Sequence, residues 1–241
     1  LVFVWQNQRS DNAITDEQGK TVRLCRMTMH GKTRPSPTQG ADIREGALIA
    51  DEESSRALAA ATSKTGALTL SFVTQISDAT KDGVVVCYGM PGKPAALMVE
   101  QKSGELVATL TADGRTSVTL GKIMPNAPQH WAVVIEKTGI RSLKDGKLTA
   151  RKEGPVSMKN WVQASLHFGR DADGGNSWRG WIEGIEILDR ALSDQEIAML
   201  HDTAAAEWSK RKPAPRIVVE AELVESSKTP DPVNIRPYLR S

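Results

Sequence analysis

WRGWIEGIEILDRALSDQEI, residues 178–197, runs a strand, a turn and a capped helix together, and it says more about the fold than any other stretch of the chain. From Trp181 onward, Trp181, Glu183, Ile185 and Ile187 alternate with Ile182, Gly184, Glu186 and Leu188. A period of two with apolar groups on both faces fits a strand inside a stack of two sheets. Ser193 then stands three residues before Glu196, the spacing of a capping box, and Ile197, Leu200, Ala204 and Trp208 follow at helical intervals. The stretch predicts a strand, a turn and a short C-terminal helix.

Upstream, the punctuation is that of β-structure. The turn pairs Asp82-Gly83, Ser103-Gly104, Asp113-Gly114 and Asp145-Gly146 separate short apolar runs and predict hairpins. The intervening strands are expected at 68–76, 84–88, 95–101, 106–111, 117–120, 131–137 and 166–169. Such spacing suggests an all-β sandwich. Residues 34–53 are richer in Pro, Gly and charge, and 54–61 reads as one helical turn or a loop. Downstream, Lys210 to Pro215 (KRKPAP) breaks the helix and reads as a linker. One strand is expected at 216–224, followed by a Pro-containing extended tail. The domains expected are therefore 1–209 and a 210–241 appendage.

Composition narrows the function. With 31 basic against 29 acidic residues in 241, the formal charge is +2, too even for a nucleic-acid surface. Apolar runs such as Val84 to Val86 fall far short of the ~20 residues of a spanning helix, so no transmembrane segment is expected. The chain begins at Leu1 without an initiator Met, which reads as a processed product or part of a longer one. Cys25 and Cys87 both lie in strand-like segments, and their pairing depends on whether those strands are neighbours.

Leu1 to Asn7 (LVFVWQN), Leu68 to Val73 (LTLSFV), His130 to Glu136 (HWAVVIE), Ser142 to Lys147 (SLKDGK), Leu166 to Gly169 (LHFG) and 178–197 follow one another in a recognisable order. It is the order of laminin-G-like, concanavalin-A-like jelly rolls, and the chain resembles a bacterial member of that superfamily over Leu1 to Trp208. The similar copies occur in large exported proteins of environmental bacteria, sometimes encoded with c-type cytochrome modules. Ser142 to Lys147 departs from the pattern, since family members often carry an aromatic and Asn before the Gly. The resemblance implies a two-sheet antiparallel jelly-roll sandwich with a rim and a concave face. It also implies a periplasmic or cell-surface location. The partner it implies is an exported subunit, with a c-type cytochrome among the candidates, or a glycan.

Candidate chemistry is sparse. The related retaining glucanases place carboxylates at alternate positions of one strand, and Glu183 with Glu186 is the nearest match here. A spacing of three in a regular strand sends those side chains to opposite faces, so they are not expected to form the ~5 Å pair that retention requires. His30, His130, His167 and His201 are dispersed, and HExxH, GxSxG and phosphate-binding glycine loops are absent. The loop 170–178, RDADGGNSW, offers Asp171, Asp173 and Asn176 as oxygen ligands for calcium, although Gly175 stands where a third ligand belongs; an ordinary Asp/Gly/Asn turn is the alternative. Among the six tryptophans, Trp131, Trp181 and Trp208 are expected to pack, whereas Trp161 and Trp178 are the candidates for an exposed, sugar-stacking surface beside Asp171 and Asn176. The reading is a non-catalytic interaction or scaffolding domain, with a carbohydrate-binding module second and a glycan-cleaving enzyme third.

Overall fold

The computed structural model describes residues 1–5, 11–36, 39–111, 114–158, 161, 164–210, 220–222 and 236–238. Its elements are β1 (Phe3–Trp5), β2 (Asp11–Thr15), β3 (Thr21–Pro35), β4 (Ala41–Ala50), α1 (Glu52–Thr65), β5 (Leu68–Gln75), β6 (Gly83–Gly89), β7 (Leu97–Lys102) and β8 (Glu105–Thr111). They continue with β9 (Arg115–Lys122), β10 (Pro128–Glu136), β11 (Gly139–Lys144), β12 (Lys147–Glu153), β13 (Ser165–Phe168), β14 (Arg179–Leu188) and α2 (Asp194–Lys210). Two short strands, β15 (Glu220–Glu222) and β16 (Arg236–Tyr238), pair with each other. The chain divides into compact units Leu1–Lys210 and Arg211–Ser241.

The main unit is a continuous antiparallel strip in the order β12-β11-β10-β5-β14-β4-β13-β6-β7-β8-β9, with β1 on β14 and the β2–β3 ribbon on β4. The strip folds back on itself as a jelly-roll sandwich. Side chains stitch the two ends together: Ser142 Oγ donates to Thr119 O at 2.9 Å and Lys144 Nζ to Lys122 O at 2.7 Å. Phe3, Trp5, Phe72, Tyr88, Trp131 and Phe168 fill the interior, each at most 1% exposed. Cys25 and Cys87 are free and buried, so no disulfide links them. Burial pushes the Cys87 thiol up to about 11, which leaves it protonated and unreactive.

Several expected turns form. Ser103-Gly104 (φ 50° and 83°) closes β7–β8, and Asp145-Gly146 (φ 49° and 73°) closes β11–β12, with the left-handed pairs that hairpins favour. Strands β8 and β9 also pair, but Asp113 lies outside the described residues. Asp82-Gly83 is not a hairpin. Strand β5 pairs with β10 and β14 while β6 pairs with β13 and β7, so this turn ends a crossover. Residues 34–53, where no strand was named, contain β4, whose place between β14, β13 and β3 stabilises backbone that its Gly and Arg content does not favour by propensity. The segment read as a turn or loop is a full helix, α1. Asp51 caps it by accepting Ser54 N–H at 2.7 Å, and Gly66 (φ 66°) ends it. In the expected tail strand, only Glu220–Glu222 lies among the described residues.

Candidate functional site

Strand β14 breaks its own alternation. Glu183 stands opposite Val73 and Glu186 opposite Ser71, so three steps on β14 face two on β5, and Gly184 (φ 57°) absorbs the extra residue as a β-bulge. Directly opposed residues share a face, and Val73 and Ser71 lie on one face of β5. Glu183 and Glu186 therefore share that face too, which corrects the expectation from spacing alone. The same bulge puts Ile182, Ile185 and Ile187 together in the core and leaves Trp181 on the other side, apart from Ile185.

The face that carries the two glutamates is the outer one, and α2 lies across it. Ala132 and Val134 of β10, Leu143 of β11, Leu192 and Ile197 form a second apolar cluster there, joined by Leu188 and Leu200. The capping box starts the helix as expected: Glu196 Oε2 accepts Ser193 N–H at 2.8 Å and Ser193 Oγ accepts Glu196 N–H at 3.2 Å. Donation to the Glu196 carboxylate from the Ser193 backbone N–H, then from Arg190 and the Ser193 hydroxyl, holds it down at about 2. Arg141 fixes the helix start from below. Its buried guanidinium donates to Glu136 Oε1 at 2.7 Å, to Asp194 Oδ1 at 3.0 Å and to Leu192 O. Gly146 has no side chain where a Cβ would stand 3.1 Å from Ala198 Cα, which allows the β11–β12 turn to meet α2 closely.

At the far end of α2, Glu183 is 3% exposed and accepts Trp208 Nε1–H at 2.7 Å. Beside it, Ser71 Oγ and His130 Nε2 lie 2.8 Å apart, the His130 and His201 rings are 5.8 Å apart, and Trp208 stands edge-on to His201 at 6.2 Å. Burial, with His201 as a lesser cause, holds His130 down at about 4. A serine bonded to a histidine resembles part of a hydrolytic triad, a pair that the dispersed sequence positions did not nominate. It lacks the rest. His130 Nδ1 has no hydrogen-bond partner, so no carboxylate orients the ring, and both residues are 3% exposed.

The loop before β14 was the expected ligand site. Asp171 closes its own loop by accepting Gly175 N–H and Asn176 Nδ2–H, each at 2.7 Å. Asp173 accepts Gly92 N–H at 2.7 Å. Asp171 and Asn176 are thus brought together, while Asp173 points to a neighbouring turn. No cluster of three or more His, Cys, Asp or Glu side chains suited to a metal ion occurs among the described residues.

The expected exposed tryptophans are buried. Trp178 is 1% exposed and donates to Gln101 Oε1 at 2.9 Å, and its ring occupies the space over Gly180. Trp161 is 6% exposed and packs on Tyr88 at 5.5 Å. Loop closure places both inside, which their polar sequence neighbours did not foretell. The half-buried indoles are Trp181, which donates to Gln39 O at 2.5 Å, and Trp208. A polar cavity of about 280 Å³ opens at the rim formed by the β5–β6 connection and the start of β14, lined by Ser77, Asp78, Lys81, Asp82, Ser177 and Arg179. No helix among the described residues is long and apolar enough to cross a membrane.

Fold and site together define a jelly-roll sandwich whose acid-bearing outer face is covered by its own C-terminal helix. The chain belongs to the concanavalin A-like lectin/glucanases superfamily, whose laminin-G-type family model matches residues 51–198. No protein of curated function matches it in sequence. Among solved structures, the receptor-binding domain of botulinum neurotoxin C/D mosaic serotype superposes with a TM-score of 0.63 at 13% identity, over 91% of this chain and 53% of that one. The binding domain of botulinum neurotoxin DC in complex with rat synaptotagmin II gives 0.61 at 13%, over 91% and 53%. A botulinum neurotoxin type C structure, described as entering cells through interaction with two ganglioside molecules, gives 0.61 at 14%, over 83% and 50%. The chain thus spans about half the length of these structures, and at such identities the likeness is one of fold.

Proposed function

We propose that the chain is a non-catalytic binding domain that docks a protein partner within an exported assembly. The observation that carries this reading is the closure of the acid face. Glu183, the more buried of the two β14 glutamates on that face, is 3% exposed and bonded to Trp208 of the chain's own helix. A glycosidase needs both carboxyl groups free to flank one sugar bond. The Ser71–His130 pair is equally shut in. The partner is taken to be another exported subunit, a c-type cytochrome among the candidates, met at the periplasm or cell surface. The β2–β3 ribbon supports a protein contact, since Val22 and Leu24 of β3 are 66% and 37% exposed.

Carbohydrate binding is the second reading, favoured by the rim cavity with Asp82 and Arg179. It has lost Trp161 and Trp178 as stacking platforms. A glycan array run beside the Arg179→Ala variant separates the two. Protein docking expects a blank array for both and a stable complex when the chain is isolated from its source. A sugar bound by the wild type and lost in the variant would replace it with the second reading.

A further inference from the structure

Beneath α2 the outer face holds a buried titratable side chain that no step of the binding reading uses. His130 of β10 is 3% exposed, and its Nε2 is bonded to Ser71 of β5. The half-buried His201 ring of α2 lies 5.8 Å from it, tilted by 36°, and Nδ1 of each ring is buried without a hydrogen-bond partner. A neutral His130 tolerates this arrangement, whereas an imidazolium there would carry a buried charge with no acceptor for its Nδ1–H.

We propose that His130, covered by His201, forms an acid-operated latch, in which protonation of His130 releases α2 from the β10–β5–β14 face and uncovers Glu183 while the roll stays folded. The neighbouring charges do not relieve His130. Asp145, in the β11–β12 turn, uses Oδ1 to accept the His130 backbone N–H at 2.9 Å. Glu183 of β14 accepts Trp208 Nε1–H, and Glu186 lies further along the same face. Lys144 of β11 is turned away onto Lys122 O and the Trp131 ring. On α2, Asp194 is bonded to Arg141 at the opposite end and Asp202 is exposed.

The direction follows from proton linkage. Docking keeps His130 neutral, down at about 4 against the ordinary 6.5, so its contribution to docking is complete above 6.5 and falls away as pH drops towards 4. Relative to neutral pH, the docked-to-released ratio should fall about 20-fold near pH 5 and a few hundred-fold well below pH 4. Glu183 and Glu186 remain the charges that release would expose. The latch concerns the helix alone and does not depend on which partner the domain binds.

The test is hydrogen exchange of the 241-residue chain between neutral pH and about pH 5, corrected for intrinsic rates. Amides of α2 should lose protection by roughly the factor given, with β5 and β10 unchanged, and His130→Gln, which keeps a polar group facing Ser71, should abolish the pH dependence. Unchanged α2 protection in the wild type, or an identical pH response in His130→Gln, would overturn the latch. Should that variant not fold, the wild-type His130 ring followed by NMR decides. Its titration coincident with α2 release supports the latch, and titration at an ordinary histidine value with α2 still protected overturns it.

Discussion

Removing the Arg141 guanidinium should free the start of α2 and leave the sandwich intact. In Arg141→Ala, the bonds to Glu136, Asp194 and Leu192 O are lost together. Glu136 and Asp194 have side chains 40% and 46% exposed, so both carboxylates regain water, and the cost falls at the low end of the ~3–5 kcal/mol seen when a buried pair is broken. Leu192 is 2% exposed, and its carbonyl, left without its charged donor, accounts for about 1–3 kcal/mol of that. A total near 3 kcal/mol corresponds to about a 150-fold loss in the docking equilibrium, because about 1.4 kcal/mol is tenfold. Hydrogen exchange should locate the loss in α2. If the loss reaches the global transition, the melting temperature should fall by about 6–12 °C. Arg141→Lys keeps the charge but not the planar fork and should recover only part of the loss. A change below about 0.5 kcal/mol in urea unfolding, with α2 protection intact, would refute the clamp.

Two glycines of β14 should respond differently to Ala in the same denaturation assay. Gly184→Ala meets nothing closer than Val73 Cγ2 at 3.7 Å and should cost only the ~1–2 kcal/mol of a left-handed backbone, whereas Gly180→Ala places a Cβ 2.4 Å from the Trp178 ring and should cost about 3 kcal/mol or more. Equal costs would contradict the assigned bulge. Millimolar calcium should leave the melting temperature unchanged, because Asp171 and Asp173 already accept hydrogen bonds within the protein; a rise that disappears in Asp171→Asn would place the ion in the 170–178 loop.

Local signals carried much of the fold. The left-handed turns at Ser103-Gly104 and Asp145-Gly146 and the Ser193–Glu196 box are short-range chemistry, and they formed where their residues stood. The laminin-G-like resemblance was borne out by the family match over residues 51–198. What misled was parity. One extra residue inside a strand moves every later side chain to the other face, and Gly184 is the residue whose presence signals such a bulge, against the regular alternation that spacing alone implies. Strand β4 and the burial of Trp161 and Trp178 depend on distant partners: β13 and β14 for the strand, Tyr88 for Trp161, and Gln101 and Gly180 for Trp178. The Ser71–His130 contact joins residues 59 positions apart, and no local pattern announces it.

The closed acid face is tested most directly by turnover. The wild type is incubated at neutral pH with a panel of soluble β-glucans and galactans, and new reducing ends are measured beside a Glu183→Gln control. A binding domain with Glu183 sealed under Trp208 predicts no release above buffer for either protein. Sustained release by the wild type that vanishes in Glu183→Gln would contradict it.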